Sequence, residues 1–571
     1  MDKNSRFWKA AIYLLLIPIT YIIASKYLDA DTVRNNRGLY IFLSCLPSIF
    51  LFISDMNTVS ADEGQRKTAQ NTGIIPKEYL KKTPEQGDFI LGERNGKYVC
   101  TSIHDTDSHY SIIGTSGTGK TSCYLINNIL LNNDTGMFIL DVKNSELFQK
   151  TAKIGDENVE RFDPTDCTWD AWGFDPFYRI ESEGYSDYIL LESLQLMANS
   201  LVTIPADVKD PFWSKNARNM FMGLSLKFYK DGCHDLISII DRILEQPIED
   251  SITYVLDTAQ PADAEFKYMI MFSDMKPETL YGIFAELSSN LTTFANHPGV
   301  RHCFGSAKKK ISPLDLEEGK KIYICVNETE LQTMNNIVKV ILDVTLYALQ
   351  KRMDYAAATE KSLKPILFVV DELPQVVSSG PLPQLIQALR VLRAFKVRMV
   401  LCYQTLESLQ PAYTQTQCID IASNTNFLIA LNAGNSVSTQ KLLCDLVGTY
   451  KEKKRSFSGK NHQKTTINFQ DENILHPSDI NTLPCENKAL ILHPSGYMVI
   501  KKSPYYKDRF LKKEAAEIEQ YNRNIQELQK IETEMKKNGL LETKSQLRKW
   551  SDLKKKENKN KKGEIDYEFR L

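Results

Sequence analysis

Residues 109–121 read HYSIIGTSGTGKT, and four of them, Gly114, Gly119, Lys120 and Thr121, have the spacing G-x-x-x-x-G-K-[ST]. Each residue type has a task in holding a phosphate chain. Glycines let consecutive backbone N–H groups curl around the phosphates, a lysine ammonium meets the β/γ-phosphate charge, and a threonine hydroxyl is a ligand for Mg²⁺. The run Gly114, Thr115, Ser116, Gly117, Thr118, Gly119, Lys120, Thr121 and Ser122 is therefore the expected cradle for ATP. A second run, PILFVVDE at 365–372, ends an apolar strand in two carboxylates. Asp371 is expected to hold the Mg²⁺ through its water shell, and Glu372 to polarise the attacking water. A buried strand that ends in solvated acids is common, so the second motif is weak alone and strong beside the first.

The elements that must position these groups are legible around them. A short β-rich run (110–113) leads into the loop, and a helix-compatible stretch (120–131) leaves it. Further β-like runs at 137–140, ending in Asp141, and at 321–326, 398–403 and 426–431 fill out a parallel sheet. The result is a P-loop α/β core with its ligand at the carboxyl ends of the strands. Asp141, Lys143, Gln404 and Glu407 are candidates for that edge by position. Gln404 is the best placed, because a neutral amide ending the strand beside 365–372 can sense the γ-phosphate or the attacking water. The alternative is a strand-terminal glutamine that faces solvent.

The chain has 571 residues, with 70 Lys+Arg against 71 Asp+Glu, which excludes a uniformly basic, polyanion-coated protein. Its length suggests about three or four structural units. Eleven cysteines include no C-x-x-C pair, and the eight histidines include no H-E-x-x-H. Neither a disulfide framework nor a zinc site is signalled, and a reducing compartment is expected for the bulk of the chain. Two apolar runs, 10–24 and 39–53, are extended by Phe7, Trp8, Tyr21, Tyr27 and Tyr40 to lengths that span a bilayer. They read as a transmembrane hairpin rather than a signal peptide, since no small-x-small cleavage site follows the first run. The Lys/Arg of residues 1–9 and 66–82 favour a multi-pass protein of the cell membrane with both ends in the cytoplasm, against the weaker pull of Lys26, Arg34 and Arg37 in the loop.

The order of motifs resembles a known family. The hairpin, GTSGTGKT, LDVKNSEL (140–147), RFDPTD (161–166), FDPFY (174–178), DPFWSKNARNMFMGL (210–224), FVVDELPQV (368–376), ALRVLRAFKVRMVLCYQTLESL (388–409) and SNTNFLIAL (423–431) are similar to the type IV secretion coupling proteins, the TraG/TraD-like ATPases of conjugation. The resemblance implies a RecA-like core with an inserted all-α domain, built into a membrane-anchored homohexamer. It implies ATP hydrolysis stimulated by DNA, and delivery of a relaxase-bound single strand to the components of a secretion channel. Carried over by position, Arg393 matches the family's arginine finger, which reaches a neighbouring subunit's nucleotide. Read from the residues alone, Arg393 is one of three arginines, with Arg390 and Arg398, near a strand start. The family's usual Asn-Pro-Leu turn is FDPF here, and the loop of the hairpin is short.

On this basis residues 1–60 form the membrane anchor, 61–177 and 301–505 the two parts of the nucleotide-binding domain, 178–300 the all-α insert and 506–571 a charged helical tail. Charge is segregated among them. The insert has 9 Lys+Arg and 18 Asp+Glu, so it repels DNA phosphates and suits a relaxase or accessory protein. Residues 505–571 have 18 Lys+Arg and 13 Asp+Glu, with the basic excess near 548–562. In that segment Leu511, Ile518, Tyr521, Ile525, Leu528 and Met535 approximate an apolar stripe. A basic run with Lys453, Lys454, Arg455 and Lys460 reads as an exposed loop, solvated or tracking a strand backbone. Two rival functions share the core: a duplex-DNA translocase of the FtsK type, and a membrane receptor for secreted proteins that uses ATP only as a switch.

Overall fold

The computed structural model describes residues 73, 75–102, 109–165, 172–205, 208–458 and 464–537. The apolar hairpin at 10–53 and the basic end of the tail lie outside the described residues. Among the described residues, no helix is long and apolar enough to cross a membrane. They fall in two compact units, the larger drawn from 75–440, 480–495 and 499–571 and the smaller from 1–74, 441–479 and 496–498.

The strands, numbered along the chain, are β1 (Leu80–Lys81), β2 (Asp88–Arg94), β3 (Lys97–Ser102), β4 (Tyr110–Ile113), β5 (Gly136–Asp141), β6 (Val159–Phe162), β7 (Gly173–Phe174) and β8 (Lys310–Ile311). They continue with β9 (Lys321–Cys325), β10 (Ile366–Val370), β11 (Val397–Tyr403), β12 (Phe427–Ala430), β13 (Thr449–Ser458), β14 (Lys464–Asn473), β15 (Lys488–His493) and β16 (Gly496–Lys501). One sheet has the order β1-β3-β2-β16-β15-β12-β4-β11-β10-β5-β9-β6. From β12 to β6 all neighbours run parallel, while β12 pairs antiparallel with β15.

The parallel strands are short runs buried from end to end, such as ILFVV in β10 and VRMVLCY in β11. Such runs belong in a sheet covered on both faces, where every residue meets a helix or a neighbouring strand. Phe368 of β10 lies in register with Phe138 of β5, and their rings stack 4.6 Å apart. The antiparallel hairpin β2–β3 is tied to the helix that follows the phosphate loop. Its Ile90 donates its N–H to Asn128 Oδ1 at 2.6 Å, and Asn132 Nδ2 donates to the Asp88 carbonyl at 2.9 Å.

Between β7 and β8 the chain is helical: Tyr178–Glu183, Asp187–Leu201, Phe212–Lys230, Leu236–Leu244, Ile248–Thr258, Ala264–Met269, Pro277–Asn296 and Pro298–Arg301. Ser186 and Asp235 cap two of these helices by accepting the Ile189 and Ser238 N–H groups at 3.1 and 3.0 Å. The helix Phe212–Lys230 is the hub, packing on Asp187–Leu201, Ala264–Met269 and Pro277–Asn296. Asp343, in the later helix Glu328–Gln350, accepts from Ser200 Oγ at 2.8 Å and joins this helical part to that helix.

The last helix, Arg509–Lys537, packs on the helix Glu146–Thr151. Leu511, Ala515, Ile518 and Asn522 are buried at helical spacing. Asn522 closes the end of the partner helix, accepting from the Ile154 N–H at 2.9 Å and donating to the Ala152 carbonyl at 2.8 Å. The stripe expected over this segment is thus used for docking on the core at its start, while Ile525 and Leu528 are only half-buried. In the smaller unit, Lys453, Lys454 and Arg455 of the basic run expected as a loop lie in a β-ribbon instead, and Lys460 lies outside the described residues. β13 and β14 pair antiparallel from Thr449↔Asn473 to Ser458↔Lys464.

His109, just before β4, is fully buried, and its Nδ1 accepts the Met399 N–H at 3.0 Å. Burial, with Arg393 and Arg398 adding to it, pushes the imidazole down to about 3. The unfolded chain therefore binds the extra proton first as pH falls through the ordinary histidine range, so this residue's stabilisation is present above about pH 6.5 and is lost below it. His109→Gln is expected to flatten the acid limb of stability between pH 6 and 4 by up to about 1.4 kcal/mol per pH unit. Urea midpoints across that range measure it.

Candidate functional site

The strand order β4-β11-β10-β5 sets four carboxyl ends side by side, each about 4.8 Å from the next. The phosphate loop follows β4, Gln404 follows β11, Asp371 and Glu372 follow β10, and Asp141 ends β5. The chemistry-bearing residues of distant segments therefore converge through topology, not through sequence proximity.

The loop is shaped by its glycines. Gly119 has φ +103°, and a Cβ there would lie 2.9 Å from Cys123 Sγ; Gly117 has φ +78°. The Gly114 N–H donates to the Tyr403 carbonyl at 3.1 Å, which sews the loop's start to the end of β11. Thr118 turns back on the loop, its Oγ1 donating to the Thr115 carbonyl at 2.7 Å. Asn432, just beyond β12, accepts from the Thr115 N–H at 2.9 Å and donates to Thr115 Oγ1 at 2.9 Å. Thr121 and Ser122 open the following helix, whose first turn, Thr121–Leu125, is π-helical.

Lys120 is buried, with 4% of its surface exposed. Its ammonium donates to the Gly114 carbonyl at 2.6 Å and lies 3.8 Å from Glu372 Oε2. Gln404 is exposed at the end of β11, and its Nε2 donates to Glu372 Oε1 at 3.2 Å. Glu372 itself has φ +66°, a left-handed conformation that a side chain disfavours and that surrounding structure must hold. Asp371 is fully buried. Lys143 Nζ donates to its Oδ1 at 3.4 Å and lies equally 3.4 Å from its Oδ2 as an ion pair, with Oδ2 making no hydrogen bond. Burial pushes the Asp371 carboxyl above its ordinary range, and the Lys143 charge opposes this. A buried carboxylate oxygen without a hydrogen bond, beside a phosphate loop, fits the water shell of a divalent cation. Asp141 is also buried and accepts the Phe148 N–H at 2.9 Å and the Lys143 N–H at 3.3 Å; burial pushes it up to about 7.

Two candidates by position stand apart from this cluster. Glu407 accepts from Ser436 Oγ at 2.7 Å and Thr439 Oγ1 at 2.6 Å, which makes it a staple for the turn after β12. Arg393 precedes β11 and lies at the amino edge of the sheet, separated from Gln404 by a strand of roughly 20 Å. There its Nη1 donates to Asn426 Oδ1 at 2.9 Å.

The model of the family described as Type IV secretory system Conjugative DNA transfer matches residues 57–528. The chain belongs to that family. Among curated relatives of the family, the chain is 22% identical over 417 residues to Protein VirD4 of Agrobacterium fabrum, covering 71% of this chain and 60% of the relative. It is 21% identical to Protein VirD4 of Rhizobium radiobacter, with 71% and 58% covered. The match thus spans about three fifths of those relatives' length. Among solved structures, the plasmid coupling protein TrwB in complex with ADP and Mg²⁺ aligns with a TM-score of 0.57 and 16% identity, over 76% of this chain and 93% of TrwB. TrwB with the non-hydrolysable ATP analogue ADPNP gives 0.56 and 17% over the same shares. At that identity the likeness concerns the fold: the mixed α/β core resembles that of TrwB.

Two groups on the loop were not expected from sequence. Asn432 ends the strand next to β4, a position at which any polar residue is a candidate once the strand order is known. Lys502 Nζ donates to the Thr118 carbonyl at 2.8 Å, from 384 positions along the chain, and no local pattern marks it.

Proposed function

We propose that this chain is a membrane-anchored ATPase of conjugation, coupling a relaxase-bound single-stranded DNA to a type IV secretion channel and hydrolysing ATP to drive transfer. The observation that supports it best is the cluster at the carboxyl edge, where the buried Lys120 and Glu372 form one connected set with Gln404, beside the buried Asp371 and its partner Lys143. In this proposal the loop N–H groups and Lys120 bind the β- and γ-phosphates. Glu372, fixed by Gln404, accepts the proton of the water that attacks the γ-phosphorus, while the bond to the bridging oxygen breaks and ADP leaves. Thr121 and Asp371 would hold the Mg²⁺, which when bound offsets the charge on the phosphate oxygens. Lys143 supplies the counter-charge to Asp371 in its absence.

Arg393 lies too far from its own nucleotide edge to act there, and is assigned to the neighbouring subunit's nucleotide in a homohexamer. The apolar runs at 10–24 and 39–53 support the anchor, with the ATPase part in the cytoplasm. The helical part between Tyr178 and Arg301 is assigned to a relaxase or accessory protein, since its acidic excess disfavours DNA. Phosphate release by the purified chain, measured with and without single-stranded DNA, tests the coupling. Stimulation is expected. A rate that DNA leaves unchanged would refute the motor, and stimulation by duplex alone would favour a translocase of the FtsK type.

A further inference from the structure

The phosphate loop is gripped from outside by a second lysine. Lys502 follows β16 and is buried, with 7% of its surface exposed. Its backbone is held by Asn487: the Lys502 N–H donates to the Asn487 carbonyl at 2.9 Å, and Asn487 Nδ2 donates to the Lys502 carbonyl at 3.4 Å. The next residue, Ser503, accepts at its carbonyl from Asn127 Nδ2 at 2.6 Å, in the helix that leaves the loop. The two-residue segment is thus pinned on both sides, and its one long side chain ends on the Thr118 carbonyl at 2.8 Å. Burial lowers the affinity of this ammonium for its proton. A desolvated cation held by one neutral carbonyl is costly to keep, so its retention inside the fold calls for a task.

The covalent geometry of the loop supplies one. The carbonyl of Thr118 and the N–H of Gly119 belong to the same trans peptide, and in a trans peptide these two groups point in opposite directions. An ammonium that fixes the oxygen on the outside fixes the Gly119 N–H on the other side. Gly119 has φ +103° and no side chain to restrain it, so without such a grip this peptide is free to rotate. A cation on the oxygen also polarises the peptide and strengthens its N–H as a donor.

We propose that Lys502 is a positioning residue for nucleotide phosphate, acting through the Thr118–Gly119 peptide and without touching the ligand. The inference rests on the reading of 114–122 as a nucleotide cradle. In the full-length chain, ADP and pyrophosphate affinities are measured by titration, together with the melting temperature of the nucleotide-free protein. Lys502→Met, which keeps the length and the burial but has no donor, is expected to weaken ADP and pyrophosphate in parallel by about tenfold, equivalent to one missing charge-assisted hydrogen bond. Lys502→Arg, which keeps a cationic donor, is expected to recover most of that loss. A purely structural role would lower the melting temperature and leave the affinity of the folded protein where it was. If Lys502→Met does not fold, Asn127→Ala loosens the same segment through Ser503 and is expected to weaken both ligands several-fold. Either variant, folded and binding ADP as tightly as the parent chain, overturns the inference. A parent chain that binds no ADP overturns the nucleotide reading, whereas parent binding that is lost in Lys120→Ala and intact in Lys502→Met overturns only the role of Lys502.

Discussion

Lys120→Ala is expected to remove nucleotide binding and to reduce phosphate release by ~100–1000-fold, the range for loss of a single preorganised donor to a developing charge. The size of the effect follows from what the ammonium does in the folded chain. It spans the first carbonyl of the loop, Gly114, and the carboxylate that ends the neighbouring acid motif, Glu372. With alanine, Glu372 keeps its Gln404 contact but loses the positive charge beside it, and the loop loses the one cation that enters it from its own sequence. ADP titration and phosphate release on the purified variant measure the two losses. Turnover that survives the substitution would move the site elsewhere.

Glu372→Gln is expected to separate binding from chemistry. The amide has the shape of the acid and can still pair with Gln404, so ADP affinity should stay within a few-fold. It cannot take the proton of an attacking water, and turnover should fall by ~100–10,000-fold, the span of general base catalysis. Nucleotide titration alongside single-turnover phosphate release would show this as intact binding with absent chemistry. Substrate transfer that proceeds at the normal rate in this variant would favour a receptor that uses ATP only as a switch. The backbone at Glu372 sharpens the expectation: with φ +66°, the carboxylate is aimed by a strained main chain, so even Glu372→Asp, shorter by one carbon, should lose the Gln404 contact.

The phosphate loop, the acid motif and the parallel sheet were legible because each is local. Glycines at fixed spacing and apolar runs that end in acids leave their mark within a dozen residues. The place of Gln404 at the end of β11 was legible too, once β11 was set beside β10. What was hidden lies in contacts between distant segments. Nothing near Asn432 or Lys502 points to Thr115 or Thr118, since both are delivered by the strand order. Glu407 has the same chemistry as Glu372 and a similar place after a strand, but hydroxyls of Ser436 and Thr439 engage it, and only the fold decides between them. The ribbon β13–β14 was missed because it is held by a backbone ladder of ten pairs, which requires no apolar face for periodicity to reveal. The stripe over the last helix was half right: its first members meet the core, and the position that matters most there is an asparagine, outside any hydrophobic pattern.

That asparagine bears on how such chains can be recombined. Asn522 terminates the helix Glu146–Thr151, and the Phe148 N–H of that helix holds Asp141 at the nucleotide edge. A tail exchanged between relatives at a junction before residue 522 would unstitch the wall behind the catalytic edge. A junction beyond residue 530 leaves that wall whole. The boundary between the part of the tail that braces the nucleotide edge and the part that does not therefore lies inside one continuous helix.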